Sequence, residues 1–139
     1  MSFKNDYTFG KQKEDEVLSI IRKKFNRNIV KSESRFERYD FKDDEYYYEL
    51  KSRNNKYSDY PTTLIEKGKV IADNLVFLFN FTDGLYYIIY NKDLFETFEC
   101  KQFLRHKRCD FVDKPKLYYH IPIHQLTRIE TKETISVTI

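Results

Sequence analysis

RYDFKDDEYYYELK, residues 38–51, consists of two aromatic-rich runs on either side of a polar centre. The polar centre, Lys42–Glu45, predicts the turn of a β-hairpin, and the flanking runs have the aromatic content of strands. A two-residue turn at Asp43-Asp44 and a four-residue loop over Lys42–Glu45 give the same pairing, with Asp40 opposite Tyr47. The register prediction is therefore the same for either loop.

Side chains alternate between the two faces of a strand, so this hairpin places Asp40, Glu49 and Lys51 on one face. Asp40 and Glu49 become diagonal neighbours with backbones roughly 7–8 Å apart, which lets two carboxylates converge on one cation. The alternative is that Glu49 and Lys51 are ordinary polar residues on the wet face of an antiparallel sheet. A Glu-x-Lys triplet is common in a chain of which 34% is charged, so it needs support from elsewhere.

Support comes from the segment Gly10–Phe25, which has the periodicity of an amphipathic helix. Glu14 falls along the middle of its apolar stripe, where a carboxylate needs a partner or a nearby cation. The alternative places Glu14 in a frayed first turn, where acidic residues favour the helix dipole and remain hydrated. The predicted stripe consists of Val17, Leu18, Ile21 and Phe25.

The chain resembles the PD-(D/E)XK nuclease superfamily, which has the restriction-endonuclease-like fold. This superfamily includes Holliday junction resolvases, restriction enzymes and several phage and homing endonucleases. The matching residues are Gly10-x-x-x-Glu14 in the first helix, Asp40 on the second strand and Glu49-Leu50-Lys51 on the third. The short, degenerate motif lies within about the first 90 residues. Tyr39 stands where the name-giving proline of the family would be.

The resemblance implies a single α/β domain over residues 1–139, with an αβββαβ core and a mixed central sheet flanked by helices. The first three strands are expected within residues 28–31, 35–41 and 45–53. Pro61 lies near the first position of a predicted second helix, which would run from Asp59 to Ile71.

The second half of the chain is predicted to contain more strands. Residues 74–81 are nearly all apolar, as expected of a central strand that is covered on both faces. Asp83-Gly84 predicts a hairpin turn into a strand over residues 85–90. Another strand is expected over residues 116–123, with 134–139 as a candidate partner, and residues 92–106 are ambiguous, with a short helix as one interpretation.

Other classes of function find little support in the sequence. The chain has 139 residues, no apolar stretch long enough to span a membrane and no apolar leader at its start. We therefore expect an intracellular, cytoplasmic protein, and its composition is typical of an AT-rich genome such as that of a phage or mobile element. Cys100 and Cys109 lack the spacing of a zinc site and are expected to be reduced and structural.

The net charge is +3, and basic residues occur in clusters along the chain. Such clusters can neutralise phosphates, although solvated helix faces explain many of them. The twelve tyrosines could stack on bases, but at strand spacing they more often pack in the core. The candidates for binding nucleic acid are Lys67, Arg53, Lys56 and Lys69.

The resemblance implies Mg²⁺-dependent hydrolysis of DNA, with Mn²⁺ as a substitute ion. Asp40, Glu49 and the main-chain carbonyl of Leu50 would be the metal ligands, and Glu14 would orient a metal-bound water or complete a second site. Because two adjacent carboxylates favour a charged lysine, we expect Lys51 to act by electrostatics and positioning rather than as a base.

Small members of this superfamily generally form homodimers, so a homodimer is expected here as well. Cleavage of branched DNA, as by Holliday junction resolvases in DNA recombination, suits a chain of this size, and a homing or restriction role is the close alternative. The rival of another class is a non-catalytic nucleic-acid-binding or assembly module that retains the nuclease fold.

Overall fold

The computed structural model describes residues 3–33, 38–103 and 116–130. Within these ranges the protein is mixed α/β, mostly sheet, with two α-helices. Residues 35–37 and 134–139, for which strands are predicted, and Cys109 lie outside the described residues. The helices are α1 (Phe3–Lys24) and α2 (Lys92–Glu96). The strands are β1 (Val30–Lys31), β2 (Phe41–Lys42), β3 (Tyr47–Ser52), β4 (Thr62–Glu66), β5 (Leu75–Phe81), β6 (Gly84–Ile89), β7 (Glu99–Phe103), β8 (Lys116–Pro122) and β9 (Thr127–Arg128).

The strands form two sheets. The main sheet has six strands in the order β1-β2-β3-β5-β6-β9, and the small sheet has three in the order β4-β8-β7. β3 and β5 pair in parallel, and the other pairs are antiparallel. The main sheet is therefore mixed, as predicted.

Helix α1 covers one face of the main sheet with the predicted apolar stripe. Val17 and Ile21 are buried, and Leu18 and Phe25 are partly buried against the same cluster. The helix begins at Phe3 rather than at the predicted Gly10, and its last turn is basic, which complements the helix dipole. The apolar cluster under α1, here called the helix-side core, consists of Val17, Ile21, Ile29, Phe41, Tyr48, Val76, Leu78, Leu85 and Ile129.

Strand β5 is buried on both faces, as its apolar sequence predicts. Val76 and Leu78 point into the helix-side core, and Phe77 and Phe79 point to the opposite side. Their cluster, here called the sheet-side core, lies between the main sheet and the small sheet. It consists of Tyr39, Ile65, Leu75, Phe77, Phe79, Phe81, Tyr86, Ile88, Phe95, Phe98, Tyr119, Ile121 and Leu126.

The predicted second helix over Asp59–Ile71 is wrong. This segment forms β4 and a short 3-10 turn at Lys67–Lys69, and it connects the parallel strands β3 and β5. Thr63 and Ile65 are buried, while Thr62, Leu64 and Glu66 are only partly buried. This is the alternation of a strand and not the period of a helix. The main sheet is therefore covered by a helix on one face and chiefly by the small sheet on the other, not by helices on both.

Most other predictions for the second half are confirmed. β5 and β6 form a hairpin, although the turn residues are Thr82-Asp83 and Gly84 already pairs with Phe81 as the first residue of β6. The ambiguous segment 92–106 begins with the short helix α2, whose N-cap Asn91 accepts a hydrogen bond from Leu94 N at 3.0 Å. It continues into β7. The partners of β8 among the described residues are β4 and β7.

Candidate functional site

The hairpin of β2 and β3 has a different register from the one predicted. Phe41 pairs with Tyr48 and Lys42 pairs with Tyr47, so the turn is centred one residue later than Asp43-Asp44. Phe41 thus pairs with a residue two positions beyond the predicted partner, Tyr46. Because side chains alternate with a period of two, a shift by two leaves every side chain on its predicted face.

Asp43 accounts for this shift, because it opens the turn instead of lying inside it. Its Oδ1 atom accepts hydrogen bonds from Glu45 N at 2.8 Å and Tyr46 N at 2.7 Å, and its Oδ2 atom accepts one from Tyr48 Oη at 2.7 Å. Burial raises the pKa of the Asp43 carboxyl, but these hydrogen bonds outweigh it and lower the pKa below the ordinary value. Aspartate at the first turn position commonly bonds to the main chain in this way.

A bulge follows on the other side of the pairing. The Asp40 N–H donates to Tyr48 O at 3.0 Å although Tyr48 pairs with Phe41. Two consecutive residues thus lie opposite one, which is the arrangement of a β-bulge. Beyond this point β2 no longer pairs with β3, and the Asp40 carboxylate takes its place: Asp40 Oδ2 accepts a hydrogen bond from Leu50 N at 2.8 Å.

This hydrogen bond places Asp40 at an edge of β3 that is otherwise open in the described ranges. The N–H and C=O of one strand residue point to the same neighbouring strand. The main-chain carbonyl of Leu50 therefore lies on the edge that the Asp40 carboxylate covers, and two of the predicted metal ligands share one location.

Glu49 is the buried charge of this region, with 4% of its surface exposed. It pairs with Phe77 of β5, so its side chain lies on the side of the sheet-side core. The Glu49 Oε2 atom lies 3.1 Å from Lys51 Nζ and 3.6 Å from Lys69 Nζ. Asp40, Glu49 and Lys51 are thus brought together as predicted, and Lys69 joins them.

The electrostatics of Glu49 reflect its surroundings. Burial raises the pKa of its carboxyl above the ordinary value, and the neighbouring Asp40 carboxylate raises it further. Lys51 and Lys69 oppose this rise without cancelling it. A cation beside Glu49 and Asp40 favours the charged form of Glu49.

Tyr39 holds the main chain of Lys69 at the site. Tyr39 Oη donates a hydrogen bond to Lys69 O at 2.7 Å, and the Tyr39 ring packs on Tyr47 with centroids 5.2 Å apart. Burial raises the pKa of Tyr39, so the phenol stays protonated and remains a donor. Sequence reasoning proposed Lys69 for phosphate binding but not for contact with Glu49, since that contact depends on the path of the crossover.

Glu14 lies elsewhere in the structure. Its Oε2 atom is 4.0 Å from Lys31 Nζ, and 43% of its side chain is exposed. Lys31 also forms an ion pair with Asp15 and pairs with Phe41, whose side chain is in the helix-side core. Glu49 faces the opposite side of the main sheet. In the described part of the chain no group of three or more His, Cys, Asp or Glu side chains is arranged to hold a metal ion.

The other predicted phosphate-binding residues surround the crossover. Arg53 follows β3, and its guanidinium donates to Thr63 Oγ1 at 3.1 Å and to Leu64 O at 2.7 Å. Lys56 and Lys67 are exposed. Arg53 thus has a structural contribution, in that it ties the end of β3 to β4.

A groove that sequence reasoning missed lies beside these residues. It has a volume of about 610 Å³ and runs between the end of β3, the loop that follows it and the outer face of the small sheet. We call it the β4 groove. Its signal in the sequence was the abundance of tyrosine, which alone cannot separate surface rings from core rings. Residues that line it include Lys51, Arg53, Tyr60, Leu64, Tyr118 and His120.

Among the described residues, no helix has the length and apolar character needed to cross a membrane. No protein-family model, no curated protein and no solved structure shows significant similarity to this chain.

Proposed function

We propose that the protein is a Mg²⁺-dependent endonuclease that hydrolyses phosphodiester bonds in DNA, of the PD-(D/E)XK type. The observation that carries the proposal is the convergence of Asp40, Glu49 and Lys51 at the open edge of β3, with Glu49 buried and raised in pKa. A buried carboxylate beside a second one is unfavourable for stability and is typical of sites that hold a cation or perform catalysis.

The order of elements supports this proposal in part. A helix precedes three consecutive antiparallel strands, and the chain then crosses to β5, which lies parallel to β3. The αβββαβ order has the same arrangement, except that a helix makes the crossover. Here β4 and its 3-10 turn make the crossover and bring Lys69 to Glu49.

The donor set fits a magnesium ion. One oxygen of Asp40 is engaged by Leu50 N, which leaves its second oxygen, the Glu49 carboxylate and the Leu50 carbonyl as hard ligands. Three acidic side chains are not required, because Mg²⁺ usually uses one or two carboxylates and completes its octahedron with waters and substrate phosphate. Glu14 lies beside Lys31 on the other face of the main sheet, so the proposed metal site does not include it, and the expectation that it is a catalytic residue and ligand is not carried into the proposal.

When bound, the ion would activate water for attack and neutralise charge on the phosphate. The residues of the chain would position the reactants. Lys51, whose Nζ atom lies 3.1 Å from Glu49 Oε2, would hold a phosphate oxygen or the attacking water. Lys69, Lys67, Arg53 and Lys56 would contact neighbouring phosphates of the substrate.

The finer role is proposed by analogy with small members of the superfamily. A homodimer would present two such sites and cut both strands of a duplex or junction. Cleavage of branched DNA, in the manner of a Holliday junction resolvase, is the proposed activity, and homing or restriction cleavage is the alternative within the same chemistry.

Cleavage assays with linear, forked and four-way DNA in Mg²⁺ or Mn²⁺ test the proposal. Asp40→Asn retains an acceptor for Leu50 N but removes the charge, and Lys51→Ala removes the ammonium. Each is expected to lower the cleavage rate by about a hundredfold or more, as for other groups that stabilise charge in a transition state. Asp44→Asn in the turn and Lys92→Ala in α2, both exposed, are the matched controls and should cut like the unmodified protein.

A second candidate is a non-catalytic module that binds nucleic acid or serves assembly. The ion pairs of Glu49 with both Lys51 and Lys69 favour it, because they compensate the buried charge without a metal. If the unmodified protein cuts no DNA or RNA of any shape with either ion, this candidate replaces the nuclease.

A further inference from the structure

The β4 groove begins at the candidate site itself. Lys51 lines the groove and lies 3.1 Å from Glu49 through its Nζ atom. A nucleic-acid strand whose phosphate lies at Asp40 and Glu49 would therefore continue into the groove with its next nucleotides.

The groove is on the outer face of the small sheet. Thr63 and Ile65 of β4 are buried towards the sheet-side core, so Leu64 points outward with His120, its partner on β8. The volume of about 610 Å³ lies within the usual range for sites that enclose one small organic molecule. A space of this size accommodates unpaired nucleotides.

The chemistry of the walls suits bases and phosphates together. Tyr60 is 61% exposed, and Tyr118 lines the same space from β8. Exposed aromatic rings beside basic groups are the usual means of binding single strands, because every base has a face that can stack. Lys51 and Arg53 supply the positive charge. Glu66 is the one acidic residue among the described residues of the wall, and its Oε1 atom lies 3.6 Å from Lys116 Nζ.

His120 adds hydrogen-bonding capacity. Its Nε2 atom is buried and has no hydrogen-bond partner among the described residues. Buried polar atoms without partners are rare in folded proteins. A small rotation of the ring towards the groove would allow this nitrogen to bond to the edge of a base.

We propose that the β4 groove binds unpaired nucleotides of the DNA substrate, adjacent to the phosphate that is cut. This proposal rests on the proposed nuclease function and specifies its substrate: DNA with a single-stranded segment next to the cleavage point, such as a fork or an overhang. Tyr60 and Tyr118 stack on the unpaired bases, and Lys51 joins the groove to the site of cleavage.

Binding in EDTA tests this inference separately from cleavage. The probes are a fluorescein-labelled single strand, a blunt hairpin duplex whose ends are joined by a polyethylene-glycol linker instead of a nucleotide loop, and the same hairpin with a single-stranded overhang. Binding is measured by fluorescence anisotropy with the full chain. The overhang hairpin should bind more tightly than the blunt one. Tyr60→Ala should weaken binding of the overhang hairpin and of the single strand by about tenfold, the loss typical of one stacked base. It should not change binding of the blunt hairpin.

Two variants serve as controls. Tyr60→Phe keeps the ring and should keep the affinity, and Ile89→Ala removes exposed apolar surface on β6, away from the groove. Equal affinity for blunt and overhang hairpins, or an unchanged affinity in Tyr60→Ala, would overturn the inference. If the unmodified protein cuts duplex DNA but does not prefer the overhang hairpin, only the groove proposal is rejected. If it cuts nothing but prefers the overhang hairpin in a way that depends on Tyr60, only the nuclease proposal is rejected.

Discussion

Glu49 shows at the scale of one residue what a buried carboxylate costs in stability. Its carboxyl is buried, and both burial and the Asp40 carboxylate disfavour its charged form. Lys51 and Lys69 reduce the resulting cost but leave the pKa above its ordinary value. Carboxyl groups with raised pKa values cluster at functional sites, and structural ion-pair networks also contain them.

Glu49→Gln is therefore expected to stabilise the protein at neutral pH, by on the order of 1 kcal/mol. The pKa of Glu49 is higher in the folded chain than its unfolded value of 4.5, so the folded state holds this proton more tightly. The stability that the proton contributes is present below the unfolded pKa and is lost as the pH rises through the folded pKa. The advantage of glutamine should thus appear at neutral pH and vanish in acid.

Urea unfolding of both proteins at about pH 7 and about pH 4 measures this difference. Glu96→Gln, at an exposed position of α2, controls for the loss of one negative charge. A glutamine variant that is less stable at neutral pH would show that the ion pairs with Lys51 and Lys69 outweigh the cost of burial.

The alternation of side chains was enough to predict that Asp40, Glu49 and Lys51 share a face. That prediction tolerated the wrong register, because the pairing shifted by an even number of residues. The contact of Lys69 with Glu49 could not be predicted, since it depends on where the crossover returns to the main sheet. The place of Glu14 beside Lys31 likewise depends on how α1 packs, which periodicity alone does not determine.

At the scale of the element, the turn between β2 and β3 is organised by one side chain. Asp43 accepts three hydrogen bonds, two from main-chain N–H groups and one from the buried Tyr48 hydroxyl. Turn composition predicted the hairpin, but choosing between Asp43 and Asp44 as the first turn residue requires knowledge of what each carboxylate meets. Because this choice sets the register, Asp43 also determines that β2 ends where Asp40 can reach Leu50 N.

Asp43→Ala should lower the free energy of unfolding by about 1–3 kcal/mol, because the Tyr48 hydroxyl loses its buried partner. The pKa of Asp43 is lower in the folded chain than its ordinary value of 3.8. Its contribution is therefore present above the unfolded pKa and is lost as the pH falls through the folded one. Asp44→Ala, at an exposed turn position, should stay within about 0.5 kcal/mol of the unmodified protein.

Denaturant unfolding at neutral pH compares the two variants, and the difference between Asp43→Ala and the unmodified protein should shrink in acid. Equal stabilities of Asp43→Ala and Asp44→Ala would mean that the turn does not depend on this carboxylate.

The crossover between β3 and β5 shows the limit of local signals for a whole element. Pro61 and the apolar residues after it are compatible with a helix start, and family resemblance favoured that interpretation. The alternation of buried residues, Thr63 and Ile65, with partly buried ones is typical of a strand, and this strand pairs with β8. β8 is more than fifty residues away in the sequence, so no local pattern could reveal that partner.

At the scale of the whole molecule, β5 is the element that both apolar clusters share. Phe77 belongs to the sheet-side core and Leu78 to the helix-side core, and each is fully buried. α1 and the small sheet do not need to touch each other for their stabilities to be linked, because each packs on a face of the same strand. The candidate site at the edge of β3 depends on both faces, since β3 pairs with β5 along its full length.

Truncation on either face of β5 should therefore weaken one common unfolding transition. Phe77→Ala is expected to cost about 3–5 kcal/mol and Leu78→Ala about 2–5 kcal/mol, the range for large-to-small changes in cores. Far-UV circular dichroism reports mainly on α1, and tyrosine fluorescence reports on rings in both cores. In each variant the two probes should give coincident midpoints, shifted in the same direction, because cooperative unfolding does not distinguish the faces.

Ile71→Ala, at a 57% exposed position, provides the control. If Phe77→Ala shifted only the fluorescence transition while the helical signal kept its original midpoint, the two cores would be independent, and the edge of β3 would owe its geometry to one of them alone.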